Sequence, residues 1–445
     1  MAEIVGVGGF DEVGKNMVAV KSGKSAAFMD MGFNVQKIVD YEEEGGVRDD
    51  LDLNKLFQLN AIPDDRVIAS WKPLVKAIAL SHCHFDHVGA VPYLAPHYKA
   101  PVYGSAYTMA VLQHMMRDDN LSVPNILKQI TLGKEIKLSN EMSLEFVSVS
   151  HSTPQSSFVV LHTKEGAIIY APDFKFDNAP IVGEKPDYER IKALRDEGVL
   201  ALFVDSLYAH LPDKAPSERV AREMLQDVLL RNGREERAIV GTCFASHIAR
   251  LKSFIEFGNK MGRRVVILGR SMMKYCDAAE EVGVVDFRKH AEIVGFGRDV
   301  KKKLREIEKQ GPGDYLIICT GGQGERNSVL SRMMREDYPF QFMHDDAMIF
   351  SNRVIPVEPN IANRVEIERR LSEFGVNVFR DVHVSGHARR QDIEEFITLA
   401  DPKHIIPTHG PADVVKGTVT IGEDMGYKLG RDLHLLANGK KVILT

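Results

Sequence analysis

Up to Leu202 the chain alternates short apolar runs with turn residues, a pattern that predicts β-strands. Beyond Ser206 the pattern changes, because apolar runs alternate with amphipathic helical segments such as HIARLKSFIEFGNKMG. This βα alternation predicts a mostly parallel sheet with helices on its faces. The runs that predict strands are MVAV, AAFMDMG, VKAIALSH, LEFVSVSH, GAIIYAPDF and LALFVDS in the first part, and RAIVGTC, RVVILG, DYLIICT and AMIFS in the second.

Together the two patterns predict an α/β protein with more than one domain. A chain of 445 residues is too long for one ordinary core. We expect a first domain built from residues 1–205 and 359–445, and a second domain, residues 206–358, inserted into it. The chain would return through a helix at 360–374 to the segments that carry His387 and His409.

Side chains with metal-binding or catalytic chemistry recur at or just after the ends of the apolar runs. The densest group is SHCHFDHVGA, in which His82, His84, Asp86 and His87 follow the run at 75–80. Three imidazoles and a carboxylate so close together suit zinc, whereas a solvated histidine-rich turn would not need further ligands at other strand ends. Such residues are present, at the edge where sheet enzymes place their ligands: Asp30, His151, Asp173, Asp205, Ser246, His387 and His409.

Composition narrows the class of protein. Hydrophobic residues at 44% and charged residues at 27% are typical of a globular enzyme, and no membrane partner is expected. The N-terminus lacks the basic region and apolar run of a secretory signal. The cysteines have no CxxC spacing, which argues against a disulfide framework and a thiolate zinc site. We therefore expect a cytoplasmic protein.

The formal net charge of −5 does not indicate a nucleic-acid binder, because phosphate recognition normally shows as a basic excess. The local distribution of basic residues can still matter for nucleic-acid binding. Short basic clusters at 263–264, 301–303 and 389–390 either line a channel or form solvated faces, and for each cluster alone the solvated face is the favoured interpretation.

The motifs at the strand ends resemble those of a known superfamily. HxHxDH followed by Gly89 looks like the signature of the metallo-β-lactamase superfamily. Asp205, the SGHA segment at 385–388 and the step from His387 to His409 resemble its nucleic-acid branch, called β-CASP. GGFDEVGKNM, FASHIAR at 244–250 and HVSGHA at 383–388 are most similar to the ribonuclease J family. The resemblance implies an αββα metallo-β-lactamase sandwich, residues 1–205 and 359–445, with an inserted α/β β-CASP domain, residues 206–358.

Two further features resemble the shorter archaeal form of that family. Only 36 residues follow His409, so we expect the extra C-terminal domain of many bacterial members to be absent. The segment NRVIPVEPN at 352–360 also differs from the usual bacterial version.

The resemblance implies a site with two zinc ions per chain. His82, His84 and His151 would hold one ion, Asp86, His87 and His409 the other, and Asp173 would bridge them. Asp30 would orient a ligand by accepting the outer N–H of a histidine. Two ions so placed would lower the pKa of a bound water for phosphodiester hydrolysis.

Outside the metal ligands, the resemblance implies two catalytic residues and a phosphate pocket. His387 would act at the scissile phosphate, with Asp205 holding it in register, although Asp205 also fits a plain helix cap after a strand. Backbone N–H groups and hydroxyls at strand-helix turns can hold an anion. The implied pocket for the 5′-phosphate nucleotide comprises Ala245, Ser246, His247, His383, Val384, Ser385, Gly386 and His387.

The function expected from the sequence is therefore a zinc-dependent 5′-to-3′ exoribonuclease. Its substrate would be single-stranded RNA with a 5′-monophosphate, endonucleolytic cleavage stays open as a second activity, and a homodimer is expected. An mRNA 3′-end processing endonuclease of the same branch is the first alternative. A metal-free RNA-binding scaffold and a small-molecule hydrolase are more remote, because the first would not need the intact ligand series and the second would not need the inserted domain.

Overall fold

A computed structural model describes residues 1–46, 51–231 and 237–445. The chain divides into two compact units. The first unit comprises residues 1–178, 183–215 and 386–445, and the second comprises residues 179–182 and 216–385.

The first unit contains two β-sheets. One has seven strands in the order β19-β1-β2-β3-β4-β5-β6, and the other has six in the order β18-β11-β10-β9-β8-β7. The strands are β1 (Ala2–Gly8), β2 (Met17–Ser22), β3 (Ser25–Met29), β4 (Val75–Ala79), β5 (Val102–Gly104), β6 (Leu127–Gln129), β7 (Ile136–Lys137), β8 (Met142–Ser148), β9 (Ser157–Thr163), β10 (Gly166–Ala171), β11 (Val199–Asp205), β18 (His404–Thr408) and β19 (Lys440–Leu444).

Apolar side chains from both sheets form the central core of this unit. Ile4, Val20, Phe146, Leu161 and Phe203 belong to one cluster of buried residues. A second cluster lies between the outer face of the six-stranded sheet and helices that carry buried apolar residues on one side. The helices of this unit are α1 (Val35–Glu43), α2 (Leu53–Gln58), α3 (Phe85–Val88), α4 (Val91–Leu94), α5 (Ala106–Asp118), α6 (Tyr188–Glu197), α13 (Arg390–Ala400) and α14 (Ala412–Asp424).

The second unit is a parallel α/β sheet, as the alternating pattern predicts. Its six strands have the order β14-β13-β15-β12-β16-β17, and each neighbouring pair is parallel. The strands are β12 (Ile239–Thr242), β13 (Arg264–Leu268), β14 (Glu292–Val294), β15 (Tyr315–Cys319), β16 (Ala347–Phe350) and β17 (Asn377–Phe379). The helices are α7 (Glu218–Arg231), α8 (Ile248–Lys260), α9 (Arg270–Glu281), α10 (Gly297–Gln310), α11 (Val329–Met334) and α12 (Glu358–Glu373).

The limits of the units differ from the predicted limits at 205 and 359. The first unit continues to Ala215, and the second extends to Ser385. The physical reason is that α12 returns the chain to β17, which pairs with β16 in the second sheet, so the helix predicted as a return to the first domain completes the second. The α/β class with a sandwich and a parallel-sheet region is confirmed. No helix in the described part of the chain is long and apolar enough to cross a bilayer.

Candidate metal centre and active site

The carboxyl ends of several strands of the first unit place the predicted ligands together. β3 and β4 are parallel, and Asp30 and His82 follow them closely. In the other sheet β10, β11 and β18 are parallel neighbours, and Asp173, Asp205 and His409 lie at or just beyond their ends. Because parallel strands end at one edge, residues far apart in sequence meet in one cluster.

His387 reaches this cluster differently from the sequence expectation. It follows no strand directly, because an irregular segment separates it from β17 and it lies shortly before α13. Strand position alone therefore does not explain its placement.

Four side chains form the first group of donors. His82 Nε2 lies 3.1 Å from His84 Nδ1, and His151 Nε2 lies 3.2 Å from the same atom. Asp173 Oδ2 lies 3.6 Å from His82 Nε2 and 3.5 Å from His151 Nε2. Four ligand atoms at these separations surround a volume suited to one metal ion.

Asp86, His87 and His409 form a second group. His87 Nε2 lies 3.4 Å from Asp86 Oδ2 and 3.3 Å from Asp173 Oδ1. Asp173 thus directs one oxygen to each group. Its Oδ1 is buried and has no hydrogen-bond partner, which is costly for a carboxylate oxygen unless a cation is nearby. The donor set therefore fits two metal ions that share Asp173.

Outer contacts fix which ring nitrogen of each histidine faces the cluster. His87 Nδ1 donates to Asp30 Oδ2 at 2.7 Å, and His151 Nδ1 donates to the carbonyl of Gly386 at 2.8 Å. In both rings Nε2 is left for a metal, an arrangement typical of metal-binding histidines. A side chain at Gly386 would lie 2.8 Å from His151 Nδ1, so this approach requires glycine.

Asn16 has an equivalent outer position that sequence reasoning missed. His409 Nδ1 lies 3.1 Å from Asn16 Oδ1, and Asn16 Nδ2 donates to the carbonyl of Asp86 at 3.1 Å. The same nitrogen lies 3.1 Å from His87 Nε2. One buried amide thus contacts all three residues of the second group. The available signal was a polar residue directly before the apolar strand β2.

Burial and neighbouring charges determine which groups of the cluster are neutral and which are charged. Burial lowers the pKa of His84 to about 4 and lowers the pKa values of His82 and His151 well below the usual range, so these imidazoles are neutral and able to bind metal. Burial alone would raise the pKa of Asp173, but His409, His87 and His387 hold it well below its ordinary value. The carboxylate is therefore ionised.

His387 and Asp205 form a hydrogen-bonded pair beside the two groups. His387 Nδ1 donates to Asp205 Oδ2 at 2.8 Å, while Asp205 Oδ1 accepts the backbone N–H of Leu207 at 2.9 Å. His387 Nε2 lies 3.7 Å from Asp173 Oδ2. Burial opposes the charged imidazolium, yet Asp205 and Asp173 raise the pKa of His387 to about 9. Asp173, His387 and His409 also form a possible set of donors, so geometry permits His387 to be either a ligand or a proton donor.

The predicted phosphate-binding residues are divided between the units. Gly386 and His387 belong to the first unit, and the remaining six belong to the second. Within the second unit the two segments approach each other, because the rings of Phe244 and His383 have centroids 6.1 Å apart. Arg250, which the sequence marks only as the last residue of the FASHIAR motif, donates to the carbonyl of Val382 at 3.0 Å. This arginine connects α8 to the segment that carries His383, Val384 and Ser385.

Three protein-family models match successive parts of the chain. Residues 58–188 match the beta-lactamase superfamily domain. Residues 235–369 match the beta-CASP domain of ribonuclease J. Residues 369–418 match the Zn-dependent metallo-hydrolase RNA specificity domain.

Relatives align over almost the whole chain. Ribonuclease J of Methanocaldococcus jannaschii is 40% identical, covering 98% of this chain and 98% of that protein. Ribonuclease J of Pyrococcus abyssi is 40% identical, covering 99% of this chain and 97% of that one. Ribonuclease J 1 of Streptococcus pyogenes is 29% identical over 99% of this chain and 74% of the relative. A crystal structure of an Enterococcus faecalis protein of unknown function shares the fold, with a TM-score of 0.65 and 18% identity over the full length of both chains.

Proposed function

Because the chain belongs to the ribonuclease J family and is a metal-dependent ribonuclease, we propose that it is a two-zinc enzyme that degrades RNA from its 5′ end. The observation that carries the metal part is Asp173, whose oxygens face two separate groups of donors. Imidazole and carboxylate donors suit zinc. His82, His84 and His151 would hold one ion, and Asp86, His87 and His409 the other.

Zinc ions bound there would supply a water of lowered pKa and positive charge for the phosphate oxygens. The chain's own residues complete the site. Asp205 holds His387 Nδ1, so the proton on Nε2 points toward the side of the ring that faces Asp173. Asp205 and Asp173 raise the pKa of His387 to about 9 in the metal-free protein, and with zinc bound to Asp173 it is Asp205 that would favour the charged ring. It can donate a hydrogen bond to a phosphate oxygen or a proton to the departing 3′-oxygen.

For the 5′ end, we assign recognition of a single phosphate to the two segments of the second unit. Ser246 and His247 directly precede α8, so their backbone and hydroxyl groups lie at a helix start, a position that favours anions. His383 lies beside Arg250, and burial lowers its pKa to about 2. A neutral imidazole there can donate only one N–H, and Ser385 supplies a hydroxyl in the same segment.

The test compares nucleotide release from one RNA carrying a 5′-monophosphate, a 5′-triphosphate or a 5′-hydroxyl. A triphosphate is bulkier and more highly charged, and a hydroxyl cannot accept the charge-assisted hydrogen bonds that a phosphate accepts, each about 1.5–3 kcal/mol. We expect the monophosphate to react fastest in the wild type and the preference to shrink in the variant Ser246→Ala with Ser385→Ala. Ser372→Ala, an exposed serine of α12, is the matched control and should keep the preference.

The outcome also discriminates between the candidate activities. Equal rates on all three ends, with internal cleavage products from RNA labelled at either end, would favour an endonuclease such as the mRNA 3′-end processing type. The metal-free scaffold is not retained, because the family comprises metal-dependent ribonucleases.

We also propose a homodimer in a reducing, cytoplasmic setting. All four cysteines are buried free thiols, which supports a compartment without disulfide formation. Sedimentation equilibrium at working concentrations tests the dimer, and a single species of monomer mass would refute it.

A further inference from the structure

Helix α10 carries a row of five cationic side chains on its exposed face. Side chains on a helix advance by about 100° per residue, so these five fall within a sector of about 100°. The opposite face holds Val300, Leu304 and Ile307, which are buried in the second unit. The residues of the row are Arg298, Lys301, Lys302, Arg305 and Lys309, all of them exposed.

Acidic residues of the same helix flank the row, among them Glu306, whose pKa is lowered mainly by Lys303 and in part by Lys302. In the part of the chain that the structure describes, no ion pair or hydrogen bond joins the side chain of any of the five to another residue. Some other exposed cations of the same unit are paired, such as Arg219 with Glu223 and Arg369 with Glu366. The five cations outnumber the acidic residues of α10, Asp299, Glu306 and Glu308. In a chain with a formal net charge of −5, the row is therefore a local field of opposite sign to the whole.

We propose that this row, the α10 cationic row, binds the phosphate backbone of RNA outside the catalytic centre. Arg298 to Lys309 spans eleven residues of helix, or about 16 Å, enough to follow several successive phosphates. Phe296, at the head of the helix, is 58% exposed and offers a ring on which a base can stack. An exposed aromatic beside a cationic row favours a nucleic acid over a purely electrostatic partner. The inference rests on the proposed function, since it makes the bound RNA the substrate.

The experiment measures KM and kcat of the zinc-loaded enzyme on two RNAs, one of about 5 nucleotides and one of about 40. These lengths lie near the lower limit of one typical site of about 4–16 nucleotides and well above it. The test variant carries Lys301→Gln, Lys302→Gln and Arg305→Gln. The matched control carries Arg219→Gln, Lys289→Gln and Arg369→Gln, which remove the same charge from the same unit at cations that have carboxylate partners. A third variant with Lys301→Arg and Lys302→Arg retains the charge.

For the long RNA we expect the test variant to raise KM by roughly tenfold at low salt and to leave kcat unchanged. The dependence of log KM on log salt should become shallower by about 2, because each contact with a single-stranded phosphate contributes about 0.7. The short RNA, the control variant and the arginine variant should behave as the wild type, and Phe296→Ala should raise KM for the long RNA alone.

Two failures are distinguishable. If neither the wild type nor any variant hydrolyses either RNA, the proposed function is wrong. If the wild type hydrolyses both RNAs and the test variant keeps the KM and salt slope of the wild type on the long RNA, the α10 cationic row is a solvated face and the inference is overturned.

Discussion

Arg250 is fully buried in the second unit, and its removal should unfold the region around it. Its Nε and Nη2 donate to the two oxygens of Glu218 at 2.7 and 3.0 Å, and Nη1 donates to the backbone carbonyls of Ser351 at 2.8 Å and Val382 at 3.0 Å. A single guanidinium therefore joins α7, α8, the end of β16 and the segment before His383. Arg250→Met removes every one of these donors.

The loss can be estimated from these contacts. Breaking a buried ion pair by removing one partner costs about 3–5 kcal/mol, and the loss of the donor to the Ser351 carbonyl adds about 1 kcal/mol. The carbonyl of Val382 keeps the hydroxyl of Ser351 as a donor at 2.6 Å. The sum, about 5 kcal/mol, is comparable with the total stability of an ordinary domain, about 5–15 kcal/mol. In Arg250→Met, Glu218 keeps the contact of its Oε2 with His247 Nε2 at 3.5 Å. The double variant Arg250→Met with Glu218→Leu removes the buried carboxylate, so it should recover about 2 kcal/mol relative to Arg250→Met.

Native-state hydrogen exchange followed by mass spectrometry measures the effect locally. Peptides from α8 and β16 should lose protection in Arg250→Met and regain part of it in the double variant, and peptides from β1 and β2 serve as the internal reference. Arg250→Lys, which keeps the charge but lacks the planar fork, should lie between the wild type and Arg250→Met. Unchanged protection in Arg250→Met, or a double variant less protected than that single variant, would refute the reasoning.

Three further predictions concern the first unit. His387→Ala and Asp205→Ala should each lower kcat by about 10²–10³, with the double variant no slower than the slower single and two zinc ions retained; loss of a metal would instead make His387 a ligand. Asn16→Ala should weaken zinc binding by about 10–100-fold in a chelator competition, and unchanged affinity would contradict its orienting role. Burial would raise the pKa of Glu145, but His162 and Arg190 lower it to about 2. The stability that the ionised Glu145 contributes is therefore present above about pH 4.3 and is lost as the pH falls toward 2. The difference in urea midpoint between metal-stripped wild type and Glu145→Gln should close over that range.

The sequence predicts the parts of the fold that local pattern determines. Apolar runs mark the strands, and the βα alternation predicts the parallel sheet, because burial of one or both faces of a strand dictates its pattern. The unit limits are not predicted in this way. The local sequence pattern of helix α12 would be the same in either unit. Only the pairing of β16 with β17 places this helix in the second unit.

The same distinction applies to the candidate site. A strand end followed by a histidine or an aspartate is visible in sequence, so Asp30, His82 and Asp173 could be selected from it. The contacts of Asn16 and Arg250 depend on segments hundreds of positions or several elements away, such as Asn16 with His409. The local sequence marks the polar residue but does not identify its partner. The motif around His387 marks it in the sequence, although its position before α13 follows from no strand.

The central claim is that the clustered histidines and aspartates bind two zinc ions with which the chain hydrolyses RNA. It is tested most directly by titrating zinc into the metal-stripped protein while following hydrolysis of a 5′-monophosphorylated RNA, with Asp173→Asn as the comparison. We predict no hydrolysis without metal, activity that rises to a plateau at two equivalents of zinc per chain, and none in the variant. Full hydrolysis by the stripped protein, or undiminished activity in Asp173→Asn, would contradict the account.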